Sequence, residues 1–217
     1  MKLEMGLFLA LSGLTSVVHA QSDQPLQRWE VGGELGISEH SLSYASEDQK
    51  IDEQDTAFRV FGSYYFTPQV ALRVGYADLG EVEWYNDSYY DQYTSSRIDE
   101  LSASSHSTAY TFGGVFSLPI NQMPVTFALE LGFLNWTVDH EATEVRTPDG
   151  GNTVSNRATY SSSDLGFYGG VSVNYQITQH FALGVAAQWY AMEPEIDDND
   201  QFDLVVQTLK FNTVIRF

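Results

Sequence analysis

The chain has 217 residues, no cysteine, and 10 Lys and Arg against 29 Asp and Glu, a formal charge of −19. That length suits a single domain. The missing cysteines exclude a disulfide framework and a thiolate centre, and the acidic excess excludes a nucleic-acid binder, whose affinity rests on Lys and Arg against phosphates.

Residues 1–20 read apart from the rest. Lys2 is followed by an apolar run from Met5 to Val18, then "VHA" before Gln21. This pattern predicts a secretory signal removed on export, leaving residues 21–217 as one domain. The run is too short to span a bilayer core as a helix, and no later segment reaches 18 continuous apolar residues. No cysteine follows the cleavage site, so a lipoprotein is excluded. An exported chain of this kind is either soluble or a membrane β-barrel.

Beyond the leader the dominant period is two, the period of strands. Eight segments follow in order: "RWEVGGELGIS", "AFRVFGSYYF", "VALRVGYADL", "TAYTFGGVFSL", "VTFALELGFLNW", "LGFYGGVSVNY", "FALGVAAQWY" and "LKFNTVIRF". Each carries one apolar face, such as Val125, Phe127, Leu129, Leu131 and Phe133 in the fifth. A soluble sandwich would alternate in the same way, so three further features decide. The connections alternate between short ("TPQ", "PINQMP", "QITQ") and long and polar (residues 39–55, 78–107, 137–163 and 193–203), the arrangement of a membrane barrel. The opposite faces carry small residues, among them Gly32, Gly75, Gly132, Gly170 and Ala182, which fit the narrow bore of an eight-stranded barrel. Aromatics gather at strand ends, including Trp29, Tyr64, Phe66, Phe116, Tyr175, Phe181, Trp189 and Phe217, where a lipid–water interface favours them.

"YYFTPQVALRVGYADLG", the strand count, the loop pattern and the terminal Phe217 resemble the OmpA/OmpX-like superfamily of small outer-membrane barrels. The resemblance covers essentially all of the chain after the leader. It implies an all-β, eight-stranded, antiparallel up-and-down transmembrane barrel in the bacterial outer membrane, with both termini periplasmic and the long loops extracellular. It further implies lipid and lipopolysaccharide as surroundings, the outer-membrane assembly machinery as a partner reading the Phe217 end, and a monomer. No cofactor is implied.

The charges divide by place. Glu30, Glu34 and Glu130 fall on inward faces with Arg59, Arg73, Lys210 and Arg216, an interior charge network with a structural role. The repeated "AL" before Arg73 and Glu130 predicts that these two meet. Closure of the last strand on the first predicts Lys210 near Glu34 and Arg216 near Glu30, because buried charges need partners. In or beside the long loops lie 24 of the 29 acids, against Lys50, Arg97, Arg146 and Arg157. "EPEIDDNDQFD" supplies oxygen ligands but lacks the spacing and glycine of an EF-hand loop. Tyr85, Tyr89, Tyr90 and Tyr93, beside Trp84, give the second loop an adaptable contact surface.

The resemblance also admits enzymes acting on lipid A, and His40, Asp87–Ser88, His106 and Ser107 supply the residue types. Their spacing matches none of those enzymes, so no catalytic, cofactor-binding or metal-binding residue is assigned. The expected function is a structural or surface-interaction role, in adhesion or colonisation, with no open pore. A small porin-like or apolar-solute transport barrel is the alternative.

Overall fold

A computed structural model describes residues 27–42, 50–52, 54–86, 89–91, 96–120, 123–148, 151–193, 195–197, 200–201 and 204–217. The leader and the segment after it lie outside these residues. Eight long strands follow in sequence: β1 Trp29–Leu42, β2 Gln54–Tyr65, β3 Val70–Asn86, β4 Ser96–Pro119, β5 Val125–Pro148, β6 Val154–Thr178, β7 Phe181–Met192 and β8 Leu204–Arg216. Each is antiparallel to its sequence neighbours, and β8 returns to β1 with Glu30 opposite Arg216 and Leu42 opposite Leu204. The sheet therefore closes on itself as an up-and-down barrel, which removes its edges over the span where all eight strands pair. No helix occurs among the described residues.

The period-two pattern does the sorting. Outward positions form an apolar belt in which Phe211 is 77 % exposed and Phe167 65 %, whereas the inward Phe61 is 6 % exposed. The belt takes about nine residues of each strand, such as Val125–Phe133 in β5, the length of a tilted membrane-spanning strand. Aromatic rows bound it. Trp29, Tyr64 and Phe66 contact edge-on at the short-turn end, and Phe58, Tyr76 and Tyr110 line up at the other end.

The expected loops 78–107 and 137–163 are largely strand. β4, β5 and β6 run for 24, 24 and 25 residues, far more than the belt needs. Beyond it, β3–β6 continue as a ribbon, four-stranded as far as Asn86 opposite Leu101 and carried further by β4–β6, with β5 running about 50 Å along the chain past Phe133 at the usual ~3.3 Å per residue. A bulge at Asp78–Gly80 marks its base on β3. Gly80 adopts φ +87° there, which only glycine takes without cost. Asp55 Oδ2 accepts the Glu81 N–H at 2.8 Å and fixes the bulge.

Candidate functional site in the bore and ribbon

The bore has two layers. Towards the short-turn end lies a chain of alternating charges. Arg59 donates to both oxygens of Glu130, at 2.5 and 3.1 Å. Arg73 donates Nη1 to Glu130 at 2.9 Å and Nη2 to Glu30 at 2.6 Å. Arg216 Nε donates to Glu30 at 2.8 Å. Tyr168 and Tyr65 add hydroxyl donors to Glu130 and Glu30 at 2.7 and 3.1 Å. Each buried carboxylate thus fills its acceptor sites, the condition under which burying such charges is tolerable. Phe61 packs beside this chain, with the Arg73 guanidinium 3.9 Å from its ring centroid, a cation–π contact.

The sequence pattern brings Arg73 to Glu130 and Arg216 to Glu30, and the structure places both pairs in contact. Arg59 had no expected partner, yet it holds Glu130 from β2. The direct Lys210–Glu34 pair is not formed. Gln188 of β7 stands between them: its Nε2 donates to Glu34 at 2.8 Å, and its Oε1 accepts from Lys210 at 3.2 Å. The expectation paired β8 with β1 alone and left out the side chain arriving from β7. Phe217 is locked by both of its backbone groups. Its N–H donates to the Trp29 carbonyl at 2.9 Å, and its carbonyl accepts from the Trp29 N–H at 3.0 Å.

Above the charges the bore turns apolar. Leu79, Leu134, Trp136, Val138, Leu204 and Val206 pack with Tyr168, Tyr190 and Met192 into one buried cluster. These positions continue the inward parity of their strands. Past Phe133 the apolar residues of β5 move to the inner face, and Asn135 and Asp139 take the outer one. That phase reversal was the available signal for where the belt ends.

On the ribbon, β6 residues 154–166 pair with β5 on one side. The β6–β7 pairing begins only at Phe167 opposite Ala191. Among the described residues this leaves a 13-residue stretch with an open edge. The other edge, on β3, is partly covered by the short strand Lys50–Asp52. Glu81, Ser104, His106, Asp139, Glu141 and Ser161 line a shallow cavity of about 530 Å³ on the outer ribbon face. Arg157 pairs with Glu141 and Arg146 with Glu144.

The candidate catalytic types do not assemble. His106 and Ser107 are consecutive in a strand and point to opposite faces; His106 pairs with Asp78 at 3.0 Å while Ser107 is buried. His40 is buried on the inner face of β1, and Asp87–Ser88 lie outside the described residues. The structure shows a pair that sequence spacing did not suggest: Ser105 Oγ lies 2.6 Å from His140 Nδ1 across β4 and β5. Burial holds the His140 imidazole below its ordinary pKa, against a smaller opposing effect of Asp139, and its ring stacks on Tyr160 at 4.4 Å. Among the described residues its other nitrogen, Nε2, has no hydrogen-bond partner, so these residues supply no acid as the third member of a hydrolytic triad. The side chains of Trp84, the tyrosine-rich loop and the acidic segment 194–203 lie outside the described residues.

Comparison with known proteins places this architecture. No curated protein matches the chain significantly. Among solved structures it is similar to Neisserial surface protein A, with 14 % identity and a TM-score of 0.49 over 87 % of this chain and 97 % of that one. It is also similar to the attachment invasion locus protein Ail of Yersinia pestis, with 15 % identity and a TM-score of 0.45 over 88 % and 99 %. A third similarity is to the N-terminal β-barrel domain of Pseudomonas aeruginosa OprF, with 10 % identity and a TM-score of 0.41 over 86 % and 98 %. A family model for the outer membrane protein beta-barrel domain matches residues 6–217. The chain belongs to the family of bacterial outer-membrane proteins built on that β-barrel domain.

Proposed function

We propose that this is a surface-contact barrel with no open pore, oriented with its short turns towards the periplasm and its ribbon outwards. The observation that carries the reading is the edge of β6 at residues 154–166, which no described strand covers. An edge strand presents unpaired N–H and C=O groups that template an added strand. Lysine, proline and bulges, the usual protections of an edge, are missing from "VSNRATYSSSDLG". Beside the Arg157–Glu141 pair, the acids of the neighbouring face, Glu81 and Asp139, favour a partner carrying basic side chains and disfavour a second copy of the chain. The porin-like alternative meets a bore filled twice, by ion pairs and by the apolar cluster.

The test is adherence of cells displaying the protein to matrix-coated and epithelial surfaces, against a Thr159→Lys/Ser161→Lys variant that guards the edge. Adherence falls to the level of cells lacking the protein while barrel insertion is unchanged. Equal adherence of both forms contradicts the edge as the contact surface.

A further inference from the structure

The two faces of the β6 edge call for different side chains. Successive residues of a strand point to opposite faces. Arg157, Thr159 and Ser161 therefore share the outer ribbon face with Asp139 and Glu141, while Ala158 and Tyr160 share the inner face with His140. On the outer face one cross-strand row runs Glu81, His106, Asp139, Ser161, and the next runs Ser104, Glu141, Thr159. The cavity of about 530 Å³ lies over both rows and reaches the edge at Thr159 and Ser161, where the side chains are short. Arg157 is committed to Glu141 and His106 to Asp78. Among the described residues Asp139 and Glu81 form no ion pair. The uncompensated negative charge nearest the edge is thus Asp139, one strand in, behind a small serine. On the inner face Tyr160 stacks on His140 and stays 40 % exposed, so an aromatic surface stands beside the same stretch of edge.

A strand added to β6 lies two strand spacings, about 10 Å, from β5. An Arg or Lys placed opposite Ser161 spans that distance across the serine to Asp139, and no shorter side chain does. The next residue of the added strand points to the inner face beside Tyr160, where an aromatic or aliphatic side chain packs. A basic residue four places along stands opposite Arg157 and meets like charge. A slip of one residue exchanges the two faces, so the pattern sets the register of the partner as well as its charge.

We propose that the β6 edge selects an extended segment of another protein in which a basic residue adjoins an aromatic or aliphatic one, with Asp139 reading the charge and Tyr160 packing its neighbour. This rests on the edge being the contact surface and adds how that surface chooses. The test uses the full-length folded barrel in lipid nanodiscs and three short Thr-rich peptides. One carries Arg–Phe at its centre, one Glu–Phe, and one has Arg and Phe two places apart, so that both fall on one face. Hydrogen exchange of residues 154–166 reports strand addition, and anisotropy of the labelled peptide reports affinity. The Arg–Phe peptide protects 154–166 and binds about tenfold more tightly than the Glu–Phe peptide. That gap closes in molar salt, where the Debye length is ~3 Å. The peptide with separated residues binds more weakly than the Arg–Phe one. Asp139→Asn breaks no described hydrogen bond or ion pair and narrows the gap to within about threefold; a heat-dependent mobility shift on gels verifies that the variant is folded. Protection and affinity equal for the Arg–Phe and Glu–Phe peptides, or an unchanged gap in Asp139→Asn, overturns the selection by charge and leaves the edge as a contact surface. No protection by any peptide overturns both, and protection of 154–166 through self-association without peptide overturns the foreign partner.

Discussion

Glu130 shows how a single residue holds the bore. It accepts from Arg59, Arg73 and Tyr168, so Glu130→Ala takes from Arg59 the carboxylate that pairs it and leaves Arg73 to Glu30. Breaking a buried pair this way costs about 3–5 kcal/mol. Urea unfolding in lipid vesicles measures it, and Glu34→Gln, whose carboxylate faces an amide, costs markedly less. His140 gives the ribbon a pH response. Its pKa in the folded chain lies below the ordinary 6.5 because burial disfavours the charged ring. As pH falls through 6.5, the unfolded chain takes up a proton that the folded chain refuses, so stability drops from that point downwards until the folded pKa is reached. Protection factors around Ser105 and His140, taken relative to intrinsic exchange at each pH, fall between pH 7.5 and 5 in the wild type, and His140→Gln abolishes that fall. Arg73–Glu130 was legible in the sequence because a repeated "AL" set both residues at one height. Gln188 was not, because an uncharged amide carries no sign to match.

At the scale of elements, the belt strands were legible and the ribbon strands were not, for one physical reason. A strand between lipid and a packed bore must alternate apolar and small residues. A strand in water has no such constraint, and "SRIDELSASSHST" reads as loop although it extends β4. Cross-strand pairing with β5, from Ser96 opposite Pro148 down to Thr108 opposite Thr137, supplies the order that hydropathy does not announce. The apolar mouth was within reach: Leu134, Trp136 and Val138 keep the inward parity of β5 past the belt. The last strand was read correctly as the seam. Phe217 completes its pairing with Trp29, and removing it deletes two backbone hydrogen bonds and an interfacial ring. Deletion of Phe217 lowers the folded, heat-modifiable fraction in outer membranes; undiminished assembly would remove its proposed role as an assembly signal.

As a whole molecule, the barrel combines a bore sealed in two different ways with a ribbon that needs no pore to act. Ion pairs alone make a switchable seal, but the cluster around Trp136 and Leu134 closes the mouth without charge. Planar-bilayer recordings therefore show no channel for the wild type and none for Arg73→Ala. Single channels appear only when Arg73→Ala is combined with Leu134→Ser/Val138→Ser. The acidic bias belongs to the same exterior design, since 24 of the 29 acids fall in or beside the segments outside the belt and set which partners the edge admits. Contact through the ribbon requires it to be ordered sheet with an open edge. Residue-resolved hydrogen exchange of the protein in lipid nanodiscs measures both properties at once. The expected result is protected amides through β4 and β5 up to their tips, with every second amide of residues 154–166 exchanging fast. Uniformly fast exchange beyond the belt, or uniform protection of 154–166 in the isolated protein, would contradict it.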